Sequence, residues 1–207
     1  GPSDHPPLHE NEVMPRLIDH DDRNDEIGAA AFRVLVRDGI AGLSVRKVAE
    51  EAEIATASLR RAFPTQDALR RFCFDRIHQS VAARLRAVTG DGREKAMQWM
   101  RELLPLDDTR RTELVVQLQL SRLALTDESL RGSAADLHDG VRRVCSSVLR
   151  QLSESGVTDP TLDPDLETAR LHALLDGLAL HLLWNTSDDP AGQADRVLQR
   201  HIDTLAA

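Results

Sequence analysis

Apolar residues recur along this chain at three- and four-residue intervals, and no stretch shows the strict alternation of a half-buried strand. The pattern predicts a helix over residues 23–38, stopped by Gly39. A short helix follows, with Ser44 as its N-cap and Val45, Val48, Ala49 and Ala52 as its apolar stripe. The pattern breaks at Glu53-Ile54-Ala55, and a second short helix starts near Thr56, turning Leu59 and Phe63 inward. Pro64 cannot continue that helix, and Thr65 can cap the next, which runs to about Val88 before Thr89-Gly90-Asp91-Gly92. Further helices are predicted over residues 93–104, 108–125, 127–155, 163–184 and 191–205. Pro105, the loop at 156–160 and Ser187-Asp188-Asp189-Pro190 punctuate them. The expected fold is all-α, with about nine helices: a small N-terminal bundle and a larger C-terminal one. The expected division is a flexible tail at 1–20, a small helical domain at 21–70 and a larger helical domain at 71–207.

Composition changes this picture little. Leu, Ala and Arg dominate, and aromatic residues make up 3% of the 207-residue chain, with no Tyr. No apolar run is long enough to span a membrane and no leader-like segment occurs, so a soluble cytoplasmic protein is expected. Gly1-Pro2 resembles a protease scar, and Met14 is a candidate native start. Cys73 and Cys145 lack C-x-x-C spacing, which favours buried packing residues over redox sensors.

Charge matters more. The net charge is −8, which is unfavourable for a partner made of phosphates. From Arg23 to Arg71, however, nine basic residues face seven acidic ones, so that segment is +2 and the rest is −10. Helix, tight turn and helix within about twenty residues of that segment is the layout of a helix-turn-helix reader, whose second helix enters the major groove. Thr56 and Ser58 can hydrogen-bond bases or phosphates, and Ala57 is small enough to meet a thymine methyl. Arg60 and Arg61 project about 100° apart and can reach phosphates on both sides of the groove, or a guanine. Arg46 opens the first reader helix, and Ser44, Thr65 and Gln66 flank the same surface. Arg16 or Arg23 could reach the minor groove as an arm.

These residues resemble the TetR family of one-component transcription regulators. The resemblance rests on Ile27, Ala30, Ala31, Phe32, Val36 and Gly39, then Leu43-Ser44-Val45-Arg46, Val48-Ala49, Ala52, Ile54, Ser58-Leu59, Phe63-Pro64, Asp67 and Ala68-Leu69. Pro15-Arg16-Leu17-Ile18-Asp19-His20, Leu104-Pro105-Leu106-Asp107 and Leu175-Asp176-Gly177-Leu178-Ala179 resemble its BetI-like branch. The chain departs from the family where Arg60 and Arg61 stand at positions that many relatives fill with aromatic residues or His. Gln66 replaces a common Lys, and Glu53 replaces the turn Gly. The resemblance implies a homodimer on a palindromic operator, most simply a repressor released by a small-molecule effector. It also implies dimerisation through the last two helices.

The C-terminal half carries candidate ligand residues. The helix at 108–125 is apolar almost all round, so Gln117, Gln119 and Arg122 sit among apolar neighbours and need polar partners, from the protein or from a ligand. His172 and Asp176 share a face four residues apart, and could form an ordinary helix pair or hold a polar ligand. Trp99 and Trp184 are large surfaces in an aromatic-poor chain, suited to core, interface or ligand. No G-x-S-x-G, glycine-rich phosphate loop or H-E-x-x-H occurs, so no enzyme, cofactor or metal is expected. A second reading stays open: a helical ligand-binding or protein-interaction module that has lost DNA binding. Net acidity, Gln66, Glu53 and the replaced aromatics favour it.

Overall fold

The computed structural model describes residues 14–185 and 188–206, with side chains from residue 22 onward. Among the described residues there are nine helices and no strand: α1 (Met14–Gly42), α2 (Val45–Glu51), α3 (Thr56–Ala62), α4 (Gln66–Ala87), α5 (Gly92–Glu102), α6 (Asp108–Ala124), α7 (Glu128–Glu154), α8 (Pro164–Trp184) and α9 (Pro190–Asp203). Helix starts are fixed by side-chain caps. Ser44, Thr65, Asp107, Asp127, Asp163 and Asp189 each accept a backbone N–H of the first turn that follows. Of the segment expected to be a flexible tail, residues 1–13 lie outside the described residues. From Met14 the chain is already helical, and Pro15 sits in the first turn, where its missing N–H is harmless. Gly39 takes φ 70° and ψ −177° and breaks α1, leaving one further turn to Gly42.

Two apolar cores form. The first joins α1 to α4 through Val34, Leu35, Val48, Leu59, Leu69 and Phe74, but it is closed by Val116 and Leu120 of α6 and by Leu130 and Leu137 of α7. The second packs α5, α7, α8 and α9 around Met100, Cys145, Leu152, Leu171, Leu175 and Leu198. The N-terminal bundle therefore does not bury its own apolar face unaided. The expected division after residue 70 falls inside α4, which runs unbroken from one core toward the other. Both cysteines are fully buried, and burial pushes each thiol up to about 12.

The turn between α2 and α3 has the handedness a glycine would supply, although Glu53 stands there at φ 55°. An L residue in that region is strained by about 1–2 kcal/mol. Ile54 N–H still bonds the Ala49 carbonyl at 2.9 Å and closes the turn. Glu53→Gly relieves the strain but raises the entropy of the unfolded chain. The expected net result is a gain of about 0.5–1 kcal/mol, read as a higher urea midpoint. A lower midpoint would mean that the Glu53 side chain stabilises the turn.

Candidate nucleic-acid interface and effector cavity

α2 and α3 carry the residues expected to meet DNA. Ser44 Oγ accepts from Lys47 N–H at 3.2 Å, and Thr65 Oγ1 accepts from Ala68 N–H at 3.1 Å, so both hydroxyls cap helices at its edge. The Gln66 amide donates to the Leu43 carbonyl, tying the start of α4 to the loop before α2. Arg23 on α1 donates to Ser58 Oγ at 2.7 Å and braces the first turn of α3. Thr56 is half-buried and Ala57 is exposed. Phe63 and Phe72 rings meet at 4.9 Å, which fixes α3 against α4.

Most cations of this bundle are already engaged. Arg33 and Arg37 hold Glu51 at 2.7 and 2.8 Å, and Lys47 holds Asp38 at 2.9 Å. These cations keep both carboxyls below the usual carboxylate range, Asp38 chiefly through Arg37 and Glu51 chiefly through Arg33. Arg70 bonds Asp67 at 3.0 Å. By contrast, Arg46, Arg60 and Arg61 are exposed and make no ion pair or hydrogen bond among the described residues. The surface of α2 and α3 thus keeps its arginines unneutralised while the scaffold behind it is charge-balanced.

A cavity of about 500 Å³ opens between α4, α5, α6, α7 and α8. Its wall is largely apolar, with Ile77, Val81, Leu103, Leu114, Val141 and Leu175 among the lining residues. At its polar end Glu113 is 6% exposed. Arg84 grips it with two N–H groups at 2.8 and 3.0 Å, and Ser80 Oγ donates to it at 2.5 Å. Glu102 accepts from Arg84 at 3.1 Å and pairs with Arg110 at 3.4 Å. Trp99 donates its indole N–H to the Leu85 carbonyl at 3.2 Å, and Lys95 lies over its ring at 5.0 Å.

The structure gathers Trp99, Gln117 and Asp176 at this cavity. Gln119, Arg122 and His172 are not part of its lining. Gln119 sits on another face of α6 and donates to the Leu35 carbonyl at 3.0 Å, just before the Gly39 break. Arg122 is exposed. His172 is 6% exposed, lies 3.6 Å from Asp176 and packs on His138 with ring centroids 4.5 Å apart. Sequence reasoning missed Arg84, Glu102 and Glu113. The signal was two acids on helices that otherwise read as apolar or solvated, with an Arg on a neighbouring helix. Trp184 is 83% exposed at the end of α8, beside exposed Leu180. Among the described residues no cluster of three His, Cys, Asp or Glu side chains could hold a metal ion.

The model of the BetI-type transcriptional repressor C-terminal region matches residues 92–207, and the model of bacterial regulatory proteins of the tetR family matches residues 27–71. The chain belongs to the TetR family. It is a DNA-binding transcriptional repressor that dimerises, binds operator DNA and is regulated by small-molecule effectors. It is 29% identical over 195 residues to the HTH-type transcriptional regulator PksA of Bacillus subtilis (strain 168), covering 93% of this chain and 94% of PksA. A transcriptional regulator from Rhodococcus sp. Rha1 superposes with a TM-score of 0.73 at 28% identity, covering 88% of this chain and 95% of that one. The multidrug binding protein EbrR, solved with ethidium, superposes with a TM-score of 0.62 at 27% identity, covering 86% of this chain and 98% of that one. Among the described residues no helix is long and apolar enough to cross a membrane.

Gln119→Leu leaves the Leu35 carbonyl without that donor, so it lowers stability by about 1–2 kcal/mol in urea unfolding. An unchanged midpoint would show that the contact contributes nothing. Burial pushes the His172 and His201 imidazoles below their ordinary value of 6.5, with Asp176 opposing the shift at His172 and Arg170 reinforcing it at His201. The folded protein then binds fewer protons than the unfolded chain as pH falls below 6.5, so stability present above 6.5 is lost toward pH 5. The urea midpoint should be lower at pH 5.5 than at 7.5, with the difference reduced in His172→Gln. An equal loss in that variant would remove His172 from the account.

Proposed function

We propose that α3 docks in the major groove with Thr56, Ala57 and Ser58 toward base edges and Arg60 and Arg61 toward phosphates or a guanine. Arg46, Ser44, Thr65 and Gln66 position the bundle from the sides. The supporting observation is the set of three unpaired arginines on α2 and α3 in a bundle whose other ion pairs are closed. Two such readers meet a palindromic operator through a dimer built on α8 and α9, where Trp184 and Leu180 are exposed apolar surface awaiting a partner. The effector occupies the cavity between α4 and α8, near Trp99, Gln117 and Asp176. Because α4 both lines the cavity and begins beside the reader, an occupant that fits one arrangement of α4 better than another changes reader spacing and releases the operator. The protein works in the cytoplasm, where its DNA is, and performs no catalysis. EbrR with ethidium supports a cavity of this kind holding a small organic molecule.

Selection of duplexes from a random pool, followed by fluorescence anisotropy at two salt concentrations, tests this reading. Enrichment of a palindrome with salt-sensitive affinity is expected, and the absence of both enrichment and salt slope would contradict it. Arg60→Ala or Arg61→Ala should lower affinity for the selected site by about tenfold or more and flatten its salt dependence, with the dimer intact by light scattering. Unchanged affinity in both variants would remove α3 from the interface.

A further inference from the structure

The charges around the cavity point to a class of effector, on the reading that the cavity is the effector site. Both acids at the polar end of its wall are already neutralised: buried Glu113 by Arg84, and half-buried Glu102 by Arg84 and Arg110. Asp176 is the lining carboxylate without an Arg or Lys partner, and its side chain is 61% exposed, so a cation meeting it there would gain little over water. The ring of Trp99, the indole of the wall, is already covered by Lys95. A cationic ligand seeking that ring would have to displace the Lys95 ammonium.

Cations of the lining, in contrast, lack carboxylate partners. Arg86, Lys95 and Arg143 line the cavity and make no ion pair among the described residues; Arg86 and Arg143 are exposed, so half-buried Lys95 carries most of the attraction. Lys95 and Arg86 both belong to the corner of the lining around Trp99. Lys95 sits on Trp99, Trp99 bonds the Leu85 carbonyl, and Arg86 is the next residue along α4. Behind that corner the wall is apolar, and its 500 Å³ is within the range of about 300–1,000 Å³ that suits a small organic ligand. We infer that the effector is an amphipathic anion, with its apolar body in the cavity and its negative group at the corner of Lys95 and Arg86.

Equilibrium dialysis of the full-length protein against three ten-carbon probes, all below micelle formation, tests this: decanoate, 1-decanol and decyltrimethylammonium. Decanoate should bind saturably and most tightly. Lys95→Gln should weaken it by about fivefold while leaving decanol unchanged. Val141→Trp, which fills the cavity, should abolish decanoate binding, with folding checked by circular dichroism. Decyltrimethylammonium binding as tightly as decanoate, blocked by the same Val141→Trp filling, would overturn the anion assignment and keep the cavity as a site. Saturable binding of none of the three would overturn the assignment and the effector-site reading together. Decanoate binding that survives Val141→Trp would place it elsewhere and overturn the assignment.

Discussion

Glu113 is a carboxylate held at 6% exposure in α6, a helix with apolar groups on most of its sides. A charge that deep needs a cation with good geometry, and Arg84 reaches it from α4 as a fork, with Ser80 supplying a third donor. The pair fixes α4 against α6 at the height where the two apolar cores meet. On one side α6 closes the reader core with Val116 and Leu120, and Gln119 holds α1 by the Leu35 carbonyl. On the other side α4 and α6 form walls of the cavity. On the proposed reading, a displacement of α4 at the cavity is carried to the reader by covalent continuity and by a shared core, not by a loose hinge.

The same economy of charge explains how an acidic chain can serve as a DNA reader. The net charge of −8 is a property of the whole surface, whereas docking responds to the local field. Glu51 and Asp38 take Arg33, Arg37 and Lys47 out of play. Arg46, Arg60 and Arg61 keep their charge toward solvent. In the proposed docking, so few unneutralised arginines per protomer give weak affinity singly and useful affinity when two readers act together.

Helix order and the reader were legible because local signals mark them. Aspartates stand at the starts of α6, α7 and α8, Ser44 and Thr65 cap α2 and α4, and Gly39 breaks α1. The faces of α6 were not legible. A helix apolar almost all round gives no preferred side, so sequence could not tell that Gln117 turns to the cavity while Gln119 turns to α1. Glu53 hid its turn geometry because a left-handed conformation at a non-glycine residue is imposed by the packing of α2 against α3. The Arg84–Glu113 pair joins residues 29 apart in sequence, a separation that no periodicity reveals.

Distance between the two readers is the quantity on which this account turns. A spin label at Ala62→Cys, on the exposed end of α3, can report it by double electron–electron resonance. Cys73 and Cys145 stay unlabelled because they are buried and their thiols are pushed up to about 12. With a selected operator duplex bound, the account predicts one distance near 35 Å, the separation of successive major grooves, narrower than in the free protein. Absence of a dipolar signal, or a distance unchanged in width and centre by the operator, would contradict a paired reader whose spacing governs repression.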